Sequence, residues 1–168
     1  MKILSEVLNR ISPSEKEKKE IEKIVSEIKR LIDAMKPDDA ESMLVGSIAK
    51  DTYLKNALDI DFFILFPSYY SREDMQNIVI SIGKKILEEW KVQYAEHPYI
   101  RGFYKCYTVD IVPCYRIETP DKKMSAVDRT PFHTEYIRKN LKEEKKKEVR
   151  LLKQFLKGIG CYGAEAKV

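Results

Sequence analysis

Apolar positions recur along the chain with two periods. Between residues 14 and 35, Ile21, Ile24, Val25, Ile28, Leu31, Ile32 and Met35 fall at helical spacing with Lys and Glu between them, which predicts an amphipathic helix. Ser12-Pro13-Ser14-Glu15 reads as its capping box, with Pro at the first helical position, and Lys36-Pro37-Asp38-Asp39 ends it. A second stripe of Met75, Ile78, Val79, Ile82, Ile86, Leu87 and Trp90 predicts a helix over 71–90, capped by Ser71. Strand patterns lie between and after these helices. Met43-Leu44-Val45 stops at Gly46-Ser47, as a strand running into a turn and a short helix. Asp59 through Phe66 is apolar on both faces from residue 62 and is closed by Pro67, which predicts a strand central in its sheet. Further strands are predicted near Val92 to Ala95, near Tyr99 to Tyr104, and from Tyr107 to Val112, ending at Pro113. Helices are predicted from Thr130-Pro131 and from Lys145 to Leu156, the last closed by Gly158 and Gly160. This order implies an α+β fold: a mixed sheet with helices packed on one face.

Composition narrows the class. A chain of 168 residues with ten Tyr and six Phe can bury a core without disulfides or a structural metal. No apolar run reaches membrane-spanning length, nothing at the N-terminus resembles a secretory signal, and a cytoplasmic location is expected. Cys106, Cys114 and Cys161 show no zinc-ligand spacing and are expected as reduced thiols, with Cys106 and Cys114 packing in strands. The net charge of +4 suits a polyanionic partner. Lys139, Lys142, Lys145, Lys146, Lys147, Arg150, Lys153 and Lys157 crowd one C-terminal stretch. Glu143, Glu144 and Glu148 interrupt it, the pattern of a solvated helix face.

The chemistry sits at the strand starts. Asp59 and Asp61 are two residues apart on a strand, so both carboxylates point from one face. Asp110 stands inside a second apolar strand. Three acids on neighbouring strands carry uncompensated charge at a half-buried place, which a divalent metal removes and an Arg partner also reduces. Hard oxygen donors suit Mg²⁺. Gly46-Ser47 is either a plain tight turn or a place where backbone amides and a hydroxyl approach a phosphate. Alone each feature has an ordinary structural reading; together they point to metal-assisted nucleotide chemistry.

Leu44-Val45-Gly46-Ser47, Asp59-Ile60-Asp61 and Val109-Asp110-Ile111-Val112-Pro113 resemble the signature of the polymerase-β-type nucleotidyltransferases. More narrowly, the chain resembles the archaeal, class I CCA-adding enzymes, the tRNA nucleotidyltransferases. That resemblance runs through Asp59 to Pro67, Ala95 to Tyr99, Val109 to Tyr115, Ser125 to Pro131 and Arg150 to Glu165. It implies transfer of CMP and AMP from CTP and ATP to the 3′ end of tRNA. It implies Asp59, Asp61 and Asp110 as Mg²⁺ ligands, with Asp110 helping to deprotonate the acceptor 3′-hydroxyl. Gly46, Ser47, Lys50, His133, Lys153 and Tyr162 match positions that contact the nucleotide, Lys50 standing where the family usually has Arg. Family members continue well beyond this length, so the resemblance implies a catalytic head at 1–129 and the opening helices of a neck domain at 130–168. It also implies a homodimer for the full-length protein. Another acceptor, or a nucleotide- or RNA-binding piece without turnover, stays open as an alternative.

Overall fold

Alternate side chains along residues 62–66 divide the molecule into two layers of core. Phe62, Ile64 and Phe66 face one cluster together with Ile24, Ile28, Ile32, Met75, Val79, Ile100 and Ile111. Phe63 and Leu65 face a smaller cluster with Val45 and Cys114 on the other side. This period of two is why the strand reads as apolar on both faces. The computed structural model describes residues 2–56, 59–94, 97–122 and 124–162.

The elements run in the order α1 (Lys2–Ile11), α2 (Glu15–Asp33), β1 (Glu41–Val45), α3 (Gly46–Ala49), β2 (Asp59–Phe66) and α4 (Arg72–Ile86). There follow β3 (Glu88–Gln93), β4 (Tyr99–Tyr104), β5 (Tyr107–Tyr115), α5 (Thr130–Asn140) and α6 (Glu143–Gly158). The five strands form one mixed sheet in the order β1-β2-β5-β4-β3, in which β2 and β5 are parallel and the other pairs antiparallel. Helices α2 and α4 bury their apolar stripes on the larger core. The opposite face is not bare, as a one-sided helical layer would leave it. A turn around Val127 packs on the smaller core, and Pro131 and Phe132 of α5 line a cleft with Met43 and Leu65. Among the described residues this covering lies over β1, β2 and the end of β5.

Several expectations are corrected. The helix begins at Glu15, not at Pro13, because Ser14 is the cap: its hydroxyl accepts from the Glu17 N–H while Glu17 accepts from the Ser14 N–H. A helix not expected from the sequence, α1, carries Ile3, Leu4, Val7, Leu8 and Ile11 at helical spacing and packs against α6 with none of its residues buried. Helix α4 ends at Ile86 and Trp90 belongs to β3, where it is 40% exposed with Lys84 over its ring. Glu89 adopts φ 46°, and the register slips between Glu88 and Lys91, so the chain turns out of helix and bulges into the sheet. Strand β5 does not end at Pro113 but continues to Tyr115. Its pairing with β4 stops at Ile111, so Pro113 stands where β5 has only β2 as a neighbour and a missing N–H is tolerated. Cys106 is exposed in the β4–β5 turn rather than packed in a strand, while Cys114 is buried as expected. No helix among the described residues is long and apolar enough to cross a membrane.

Candidate active site

Register places the acids. β2 and β5 run parallel with Asp61 opposite Asp110 and Asp59 opposite Thr108, so all three carboxylates leave the same face of adjacent strands. Asp59 is exposed at the strand start, Asp61 is half-buried and Asp110 is buried. Burial pushes the Asp61 carboxyl up to about 6, and the like charges of Asp110 and Asp59 push the same way; Arg101 and Lys50 oppose them.

Gly46 closes the other side. β1 pairs with β2 so that Val45 lies opposite Asp61, and the next residue turns away at φ +72° into the single turn of α3. A Cβ on Gly46 would stand 2.9 Å from Cγ of Asp61 and overlap its Oδ2. Both the backbone angle and the carboxylate therefore demand glycine here. Ser47 follows in the same turn, with its carbonyl accepting from the Thr52 N–H at 2.9 Å. Lys50 caps α3 and is close enough to Asp61 to moderate its charge.

Two further predicted residues come from the C-terminal helix. Lys153 on α6 donates to the carbonyl and hydroxyl of Thr52, at 2.9 and 3.2 Å. Burial lowers its ammonium to about 8, aided by the positive charges of Lys50, Arg150 and Lys157. The Tyr162 phenol is raised, first by burial and then by the charge of Asp59, and Lys157 lies 5.6 Å from its ring. Thus Gly46, Ser47, Lys50, Asp59, Asp61 and Asp110 share one end of the sheet, with Lys153 and Tyr162 at its margin. His133 is carried by α5. It is exposed there, in a cleft with Pro120, Phe132 and Tyr136. Ala95, Glu96 and Gly163 through Glu165, which carry part of the resemblance, lie outside the described residues.

Sequence reasoning allowed an Arg partner for Asp110 without naming it. Arg101, opposite Asp110 on β4, donates through Nε and Nη2 to the two Asp110 oxygens, each at 2.6 Å. This bidentate pair turns Asp110 toward β4, and among the described residues no three acids, histidines or cysteines converge at metal-binding geometry. The donor set still fits a hard divalent cation in kind. It offers three carboxylates on one sheet face, one of them disfavoured as an anion by desolvation and crowding, which is the imbalance a cation relieves. Convergence requires Asp110 to give up part of its contact with Arg101.

The profile of the nucleotidyltransferase domain matches residues 18–133, which takes in α2 through the start of α5 and all five strands. The chain belongs to the nucleotidyltransferase domain family. This chain is 43% identical over 166 residues to the CCA-adding enzyme of Archaeoglobus fulgidus and 46% identical over 169 residues to that of Pyrococcus abyssi. The alignments cover 99% and 96% of this chain but only 37% of each relative, so the chain spans little more than a third of their length. Its fold is shared with the Cid1 poly(U) polymerase solved with Mg and 3′-dATP, at TM-score 0.68 and 24% identity, over 93% of this chain and 46% of that one. A cytoplasmic RNA terminal U-transferase superposes at TM-score 0.66 and 22% identity, over 93% of this chain and 44% of that one. The polymerase-β-type fold expected from the sequence is therefore the fold observed: a mixed five-stranded sheet flanked by helices.

Proposed function

We propose that this chain is the catalytic head of a CCA-adding enzyme, transferring CMP and AMP from CTP and ATP to the 3′ end of tRNA with Mg²⁺. The observation that carries the reading is the register of Asp61 against Asp110 beside Gly46, in a chain over 40% identical to two CCA-adding enzymes.

Each residue then has a task. Asp59, Asp61 and Asp110 would hold the metal, and Mg²⁺ in such a site supplies Lewis-acid activation of the attacking hydroxyl and stabilisation of the leaving pyrophosphate. Gly46 lets the backbone come close to a ligand phosphate, and Ser47 offers a hydroxyl donor. Lys50 and Lys153 meet the triphosphate charge, and Tyr162 meets the nucleoside side of the same ligand. His133 keeps its assignment to the nucleotide only through the resemblance. The acceptor hydroxyl oxygen forms its bond to the α-phosphorus as the bond to pyrophosphate breaks, and its proton passes to Asp110. Residues 1–129 form the head and 130–168 open the neck. The cytoplasmic location and the homodimeric state of the full-length protein belong to the same reading.

The test is incorporation of labelled CTP and ATP into tRNA lacking its terminal nucleotides. Mg²⁺-dependent addition to tRNA and not to unrelated RNA supports the assignment. Addition to any RNA end points to another acceptor, and Mg²⁺-dependent nucleotide binding with no addition points to a non-catalytic module.

A further inference from the structure

The basic stretch at residues 142–157 reads from sequence as a solvated helix face, but its middle is docked. Arg150 is 6% exposed. Its Nε donates to the carbonyl of Tyr53 at 3.0 Å, and its Nη2 to the carbonyl and Oδ1 of Asp51 at 2.8 and 2.7 Å. Lys146, one turn earlier, bonds Oδ2 of the same Asp51 at 3.1 Å. Lys153, three residues later, bonds Thr52. All three cations meet one segment, residues 51–53, which directly follows α3 and Lys50. Asp51 holds this segment at φ +50°, where its carbonyl and carboxylate both turn to Arg150.

Among the described contacts Arg150 does not touch Asp59, Asp61 or Asp110. It satisfies two backbone carbonyls at a buried place, which a methylene stem or an ammonium cannot reproduce with the same fork. The position of α6 along the head is thereby tied to the segment that also carries Ser47 and Lys50. Lys153 spends two of its three N–H groups on Thr52, leaving one for a ligand oxygen.

We infer that Arg150, latched to Asp51, is a positioning residue that sets Lys153 beside Lys50 so that the two ammonium groups grip one polyphosphate. The inference rests on the nucleotide-site reading above. It explains why a helix from the C-terminal part of the chain is fastened to the loop behind the Gly46-Ser47 turn rather than to the sheet.

A double-mutant cycle separates positioning from mere stability. The quantity measured is affinity for Mg²⁺·ATP by calorimetric titration, on proteins whose thermal unfolding shows them folded. R150M and K153M should each weaken binding about tenfold, the scale of one charge-assisted hydrogen bond. The double variant R150M/K153M should bind within about twofold of K153M alone, because Arg150 acts through Lys153. R150K should recover only part of the loss, since an ammonium lacks the fork. D51N keeps a residue tolerant of positive φ and provides the same cycle if R150M does not fold. Losses that multiply, to about a hundredfold in the double variant, or an unchanged affinity in R150M or D51N, overturn the inference. A wild-type chain that binds no Mg²⁺·ATP overturns the nucleotide-site reading itself, a distinguishable result.

Discussion

Arg101 and Asp110 stand opposite one another on β4 and β5, and two guanidinium nitrogens of Arg101 each donate to one Asp110 oxygen at 2.6 Å. Arg101 is about half-exposed while Asp110 is buried, so the pair has a solvent side. The guanidinium is thus the resident counter-charge of the most buried of the three site acids. A cation that recruits Asp110 competes with it.

Arg101→Gln should therefore raise the affinity of the nucleotide-free protein for Mg²⁺ or Mn²⁺ several-fold, measured by titration. Lys91→Gln is the control: Lys91 faces Arg101 across β3 and β4 but makes no bond to Asp110 among the described contacts. If both variants shift metal affinity equally, the effect is general charge and the specific competition is wrong.

Asp61 makes the opposite point about stability. Its carboxyl ordinarily titrates near 4 and is pushed up to about 6 in the folded chain. Between these values the native state binds more protons than the unfolded state, so stability falls as pH rises through the window. The cost is complete above about 6 and absent below about 4. Asp61→Asn should accordingly stabilise the metal-free protein by about 1–3 kcal/mol at neutral pH. Denaturant unfolding at several pH values should show that gain vanishing toward pH 4. A gain that persists in acid contradicts the electrostatic origin.

Gly46→Ala should damage fold and site together. The residue adopts φ +72°, and its added methyl overlaps the Asp61 carboxylate. Strain at such a position costs on the order of 1–3 kcal/mol. Because the carboxylate must move, Mg²⁺·ATP affinity should fall by more than the stability change alone explains. An alanine variant with unchanged affinity would show that Gly46 serves only the turn.

Base selectivity is expected to be weak in this chain. The groups gathered at the site are a hydroxyl, two lysines, a tyrosine and acids, which by the proposed roles meet triphosphate, sugar and metal, features all four nucleotides share. ATP, CTP, GTP and UTP should bind with similar, Mg²⁺-dependent affinity, within about 1 kcal/mol, less than one well-placed bidentate base contact contributes. Calorimetry at fixed Mg²⁺ decides this. A hundredfold preference for CTP or ATP over GTP would place base-reading groups within these residues.

The acids and the Gly-Ser turn were legible because each depends on local pattern. Asp59-x-Asp61 fixes its own face by the period of a strand, and Gly46 stands where an apolar run stops. Their pairing partners were not legible in the same way. Arg101 meets Asp110 only through the register of the β4–β5 hairpin, which turns at Lys105 with φ 56°. Arg150 looks like one more cation in a charged run, and only a contact ninety-nine residues away in sequence shows it buried. Trp90 misled because Ile86, Leu87 and Trp90 continue the helical spacing by coincidence past the true end at Ile86. The C-terminal helix folds back on the loop at 51–53, which brings Lys153 onto Thr52 and Tyr162 within reach of the charge of Asp59, while His133 is exposed in the α5 cleft.

The central claim is that Asp110 belongs to the transfer step and not to nucleotide capture. The direct measurement is Mg²⁺·CTP affinity beside single-turnover incorporation into tRNA lacking its terminal nucleotides, in wild type and Asp110→Asn. Asp110→Asn should abolish incorporation while affinity falls only a few-fold, since Asp59, Asp61 and the triphosphate can still hold one ion. Equal losses in binding and incorporation, or incorporation that survives the substitution, would contradict the claim.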